Sequence, residues 1–190
     1  MTALLRQPHT RHPERTTVPH FAAALYRRPS GWTAEELELK GVEDLDGVVE
    51  ELRQYGDEAD VQLLFVEEDD EWFAVVRVDE DGDPRVFLSD ARAMESSQLG
   101  ALVGEAATVA DPREDLHLVE DDEDEDDDDD DAVQTGGDPV GDSDLLADLG
   151  TPSRKLLELS AEEGQLPADI ISALCERAGC LDTLDALRLA

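Results

Sequence analysis

The chain has 190 residues, and 50 acidic against 15 basic side chains set its formal net charge at −35 with histidine neutral. That balance excludes a nucleic-acid binder of the basic-patch kind, and at roughly 100 to 200 residues per domain the length allows one domain with at most a small appendage. Two cysteines give no disulfide framework, so a reducing cytoplasm is expected, and no run approaches the ~18 apolar residues of a membrane span. With two Trp, two Tyr and four Phe, the core must come mainly from Leu, Val and Ala.

Residues 1–19 contain Pro-His and His-Pro pairs, scattered arginine and no apolar period, and are expected to be a disordered leader. Val18 is a candidate start, which would make residues 1–17 a misassigned extension. Residues 21–26 and 32–39 are short apolar runs flanking Arg27-Arg28-Pro29-Ser30-Gly31, a hairpin signal, with Leu37 and Leu39 alternating with Glu36 and Glu38. Leu45, Val48, Val49, Leu52 and Tyr55 then fall on a helical period, with Asp44 as cap and Gly56 as stop. Residues 61–66 and 72–78 are β-branched and aromatic. The five acids at 67–71 between them read as a solvated turn, and residues 85–88 give a further strand. The order is ββαβββ. Residues 91–103 suggest a helix weakened by Gly100 and Gly104.

The expected architecture is therefore α+β: over residues 20–103, an antiparallel sheet of about five strands packed by one or two helices. An acidic disordered linker, 104–141, carries −16 of the net charge. A small helical unit, 142–190, follows. Its helices are expected over 143–149, from an N-cap at Thr151 with Pro152 in the first turn, and from Pro167 to a stop at Gly179, with a last turn carrying Leu181, Leu184 and Leu187.

The candidate chemistry is sparse. His12-Pro13-Glu14 matches the H-x-E half of a zinc deaminase signature, but no P-C-x-x-C accompanies it, and chance explains it. Cys175 and Cys180 would lie well apart around a continuous helix and read as core plus a free thiol. The loop 79–84 has three Asp and a Gly, yet with Gly82 at the sixth position the twelfth is Leu88, so a calcium loop fails. Arg77, Arg85, Arg92 and His117 are the few groups an enzyme could use beside carboxylates. Trp32, Trp72 and Phe73 read as packing. No catalytic, cofactor or metal site is assigned. The one speculative binding site is the run Glu120, Asp121, Asp122, Glu123, Asp124, Glu125, Asp126, Asp127, Asp128, Asp129, Asp130 and Asp131, an anionic strand suited to a basic protein surface. Its plainer reading is a solubilising spacer.

Several stretches are familiar: Phe21-Ala-Ala-Ala-Leu, Val42-Glu-Asp-Leu-Asp-Gly47, Leu64-Phe-Val-Glu-Glu-Asp-Asp-Glu-Trp-Phe-Ala-Val-Val-Arg-Val-Asp79, Asp83-Pro-Arg-Val-Phe-Leu-Ser-Asp-Ala-Arg92, Gly141-Asp-Ser-Asp-Leu-Leu-Ala-Asp-Leu-Gly-Thr-Pro152 and Leu166-Pro-Ala-Asp169. Together they resemble the actinobacterial family of putative tRNA adenosine deaminase-associated proteins over residues 20–187. The resemblance transfers no catalytic residue. It implies a gene neighbour, a zinc deaminase that must show its RNA a cationic surface, and hence a non-catalytic accessory role with that enzyme as basic partner. A stand-alone structural or regulatory module and an undetected enzyme, with His117 or an arginine beside carboxylates in a deep pocket, are the alternatives.

Overall fold

A computed structural model describes residues 20–109 and 137–190, apart from Asp57, Asp69, Asp81 and Glu163. The elements run β1 (His20–Arg28), β2 (Gly31–Glu36), α1 (Leu45–Tyr55), β3 (Val61–Glu68), β4 (Trp72–Asp79), β5 (Arg85–Leu88), α2 (Ala93–Ser96), α3 (Gln98–Val109), β6 (Val140–Gly141), a 3-10 turn (Ala147–Leu149), α4 (Ser153–Ala161), α5 (Pro167–Ala178) and α6 (Leu181–Arg188). The strands form one antiparallel sheet in the order β2-β1-β3-β4-β5-β6. The α+β expectation holds, with six strands rather than five.

β3 and β4 are almost uniformly buried, because both faces of the sheet are covered. Side chains alternate between faces. Ala22, Ala24, Tyr26, Leu64, Val66, Ala74 and Val76 pack beneath α1, α2 and α3. Ala23, Leu25, Leu63, Phe65, Phe73, Val75 and Phe87 form the second cluster, with Leu145, Leu146, Leu156, Ile171 and Leu174 of the C-terminal segment. The C-terminal helices thus dock on the sheet and share its core.

α1 follows the sequence reading: Asp44 accepts the Gly47 N–H at 2.9 Å, and the helix stops at Gly56. Tyr55 is the exception, exposed at 46%. Ten residues beyond Leu45 at 100° per residue, it has left the apolar stripe. The expected helix over 91–103 divides at Ser97 and continues to Val109. Gly100 and Gly104 are contact points there, since an added Cβ would lie 2.3 Å from the Ala93 carbonyl and 2.3 Å from Met94 Cγ respectively. Of the expected linker, residues 104–109 continue α3 and 140–141 form β6; 110–136 lie outside the described residues. Over 143–149 only the last three residues are helical. Thr151 is not the cap of α4. Pro152 holds that position, and the Thr151 hydroxyl is buried with no partner among the described residues.

Candidate functional site

Of the catalytic candidates, Arg77 and Arg85 are structural. Arg77 lies on the C-terminal face of β4, 6% exposed, and donates from Nε to Asp79 at 2.9 Å, to the Leu145 carbonyl at 2.7 Å and, in a forked pair, to both carboxylate oxygens of Asp148. Burial acts to lower its pKa, but the bonds to Asp148 and Asp79 more than offset that and the net shift is upward. The same bonds hold the Asp148 carboxyl below its ordinary range. Arg85 reaches Asp142 at 3.4 Å and Asp79 at 3.7 Å. Of the three Asp in the loop 79–84, in which the sequence reading rejected a calcium site, Asp79 is engaged by two arginines and Asp81 is outside the described residues. Arg92 chelates Asp90 in an exposed local pair. Among the described residues no three His, Cys, Asp or Glu side chains gather in a metal-binding group.

Trp72 and Phe73 are core residues, and Trp32 packs half-buried on the C-terminal cluster. Cys175 and Cys180 are buried free cysteines, as read from the sequence, but they do not lie apart on one continuous helix. Gly179, at φ +75°, ends α5 between them, and the turn brings Cys180 N–H onto the Cys175 carbonyl at 2.8 Å. The two thiols meet in the core, and the contact with Cys180, reinforced by burial, pushes the Cys175 thiol far up. His12, Glu14, His117 and all twelve acids of residues 120–131 lie outside the described residues.

An open concavity among the described residues lies on the other face. A groove of about 610 Å³ runs between the segment after β2 and the start of α3. Its apolar lining includes Leu37 and Leu39, which are buried, and Val42, Leu99 and Leu102, which are partly exposed. Its polar lining includes His20, Glu36, Glu38, Lys40, Glu68 and Ser97. Glu68 is the unexpected member, because the acids 67–71 read as a solvated turn. Instead β3 continues through Glu68, which pairs with Trp72 on one side and His20 on the other, and Asp70 at φ +57° makes the turn. Even-numbered positions of β3 face α1 and α3, so Glu68 follows Leu64 and Val66 inward and is only 8% exposed. Glu67 points the other way to Arg188 at 3.5 Å, and burial pushes its carboxyl up.

Ser97 explains how Glu68 is held. Its hydroxyl accepts the N–H groups of Leu99 and Gly100, both at 3.1 Å, capping α3, and donates to Glu68 Oε2 at 2.9 Å. With its lone pairs and proton all engaged, Ser97 is a cap and not a nucleophile. Among the described residues no ion pair includes Glu68. The site therefore offers a fixed, unneutralised carboxylate above an apolar floor, an arrangement suited to binding a cation with aliphatic neighbours. Alternation through Leu64, Val66 and Glu68 was the one signal for it in the sequence.

The sequence model of the Rv3753c-like tRNA adenosine deaminase-associated protein family matches residues 20–181, and the chain belongs to that family. The match spans the sheet, α1 to α5 and the groove. No curated protein and no solved structure matches the chain.

Proposed function

Starting from that membership, we propose that the protein is a non-catalytic accessory factor of the cytoplasm that binds a basic protein, a tRNA adenosine deaminase, through its anionic surface and residues 120–131. The family description carries this reading, since it names association with that enzyme. The charge supports it independently. At −35 the chain repels nucleic acid and attracts any protein whose surface is built to hold RNA. Among the described residues six of the eleven Lys and Arg side chains, Arg77, Arg85, Arg92, Arg154, Lys155 and Arg188, are paired to carboxylates. On this reading the groove is a binding surface, and the Ser97 hydroxyl that contacts its carboxylate is engaged in capping α3. No helix among the described residues is long and apolar enough to cross a membrane.

Size-exclusion chromatography with light scattering, on the full chain mixed with the deaminase of the same organism, tests the reading. The expected result is a complex that tRNA displaces, that weakens between about 0.05 and 0.5 M salt, and that is lost or reduced on deletion of residues 120–131. A complex indifferent to salt and to the deletion would remove the tract from the interface. Absence of any complex at low salt would overturn the reading.

A further inference from the structure

Glu68 is held where an isolated charge is costly. Burying a carboxylate without an opposite charge loses hydration that one neutral hydroxyl does not replace. Yet Glu68 is 92% covered and takes only the Ser97 hydroxyl, on Oε2, with no cation in ion-pair reach among the described residues. Oε1 accepts no hydrogen bond among the described residues, and Glu68 itself lines the groove. Glu36 and Glu38 stand exposed along the same wall, against the single lysine, Lys40. Leu99 and Leu102, partly exposed, supply an apolar shelf beside the carboxylate.

We propose that this groove receives an arginine or lysine side chain from the partner protein, with its charged head on Glu68 Oε1 and aliphatic neighbours of the same segment on Leu99 and Leu102. Charge complementarity identifies the occupant. The lining is net acidic and its deepest charge is unneutralised, while an enzyme that holds RNA must display cations. The apolar shelf favours a cation carried on carbon, since metal ions gain nothing from leucine side chains, and the family's named association with an enzyme points to a protein segment rather than a free polyamine. The inference rests on the functional reading above for the identity of the partner, and it adds an address. Residues 120–131 steer the encounter through net charge, and the groove fixes the register of the complex.

Isothermal titration calorimetry of the full chain against the deaminase separates the two ideas. Glu68→Gln keeps an acceptor for Ser97 and removes only the charge, and it should weaken binding about tenfold or more, as expected for a desolvated charge pair. Glu95→Gln makes the same change in net charge on exposed α2, outside the groove, and should stay within about twofold of wild type. Lys40→Glu removes the competing cation from the wall and should tighten binding by about threefold, a gain that no folding defect can produce. Equal weakening by Glu68→Gln and Glu95→Gln would show that affinity follows total charge and would overturn the groove while leaving the functional reading intact. Absence of wild-type binding would overturn the functional reading itself. If circular dichroism showed Glu68→Gln to be unfolded, the comparison of Lys40→Glu with Arg53→Glu decides, since the latter makes the same change in net charge at an exposed position outside the groove: a larger gain at Lys40 supports the groove, and an equal or smaller one overturns it.

Discussion

Replacing Arg77 by methionine isolates the polar contribution of the joint between the sheet and the C-terminal segment, because methionine retains most of the buried aliphatic stem. The guanidinium makes four hydrogen bonds, to Asp79, the Leu145 carbonyl and both oxygens of Asp148. Bonds to charged groups contribute about 1.5–3 kcal/mol each at most, and breaking a buried pair costs about 3–5 kcal/mol when the survivor stays buried. Here the survivors are better placed, since the Asp148 side chain is 55% exposed and that of Asp79 35%, and Arg85 still reaches the Leu145 carbonyl at 3.4 Å. The discounted cost is about 3 kcal/mol. With a urea slope of about 2 kcal/mol/M, the midpoint should fall by about 1.5 M. The deficit should also depend on pH with a definite sign. Arg77 depresses the Asp148 carboxyl in the folded state, so its contribution is complete above the ordinary carboxylate value and is lost as pH falls through the folded value. The gap between wild type and variant should therefore be full at neutral pH and shrink below about pH 4. Acid also relieves the self-repulsion of a −35 chain in both proteins, so the difference, not either curve, is the readout. A midpoint shift under about 0.5 M at pH 7, or a gap that widens in acid, would refute the assignment of Arg77 as the joint.

The two glycines of α3 should respond unequally to alanine. At Gly100 the new methyl meets the immovable Ala93 carbonyl, costing about 3 kcal/mol, whereas at Gly104 it meets the flexible end of Met94, costing about 1 kcal/mol, both read by chemical denaturation. Asp44→Ala removes the cap of α1 and should cost about 1 kcal/mol, with Asp44→Asn close to wild type in thermal melts. The thiols of Cys175 and Cys180 should resist a disulfide-exchange reagent in the native protein and react only at the rate of unfolding, because contact and burial hold Cys175 protonated; prompt labelling of the native chain would contradict the packing.

The fold was legible where the signal is local, and the site was not, because it is built from long-range register. Asp44, the stripe through Leu52 and the glycine stop all lie within residues 44–56, and α1 followed them. The paired apolar runs of β3 and β4 gave the hairpin, and their lack of polar alternation also encodes a sheet covered on both faces. Arg77, a lone charge inside such a run, needs a partner on one of those faces, but nothing local points to Asp148, 71 positions away. Glu68 was misread for a related reason. A run of five acids suggests solvent, and only the register set by the turn at Asp70 decides which of them go inward. Ser97 then meets it from 29 positions on. Gly100 and Gly104 read as helix weaknesses, since propensity does not reveal that the missing Cβ makes room for Ala93 and Met94.

Charge and address are separate properties, and the proposed reading divides them between two kinds of sequence. On the proposed reading, twelve consecutive acids speed the encounter with a cationic surface but discriminate poorly, because net charge acts alike on many partners and is screened by salt. Discrimination requires a charge fixed in position and partly stripped of water, so that a misplaced or missing counter-charge is penalised. Glu68, oriented by Ser97 at the start of α3 and set beside leucines, meets that requirement. Deleting the tract should therefore act mainly on the association rate and its salt dependence, and neutralising Glu68 mainly on the dissociation rate. Stopped-flow association with the deaminase resolves the two, and identical kinetic signatures for both changes would mean that the groove is only more surface charge.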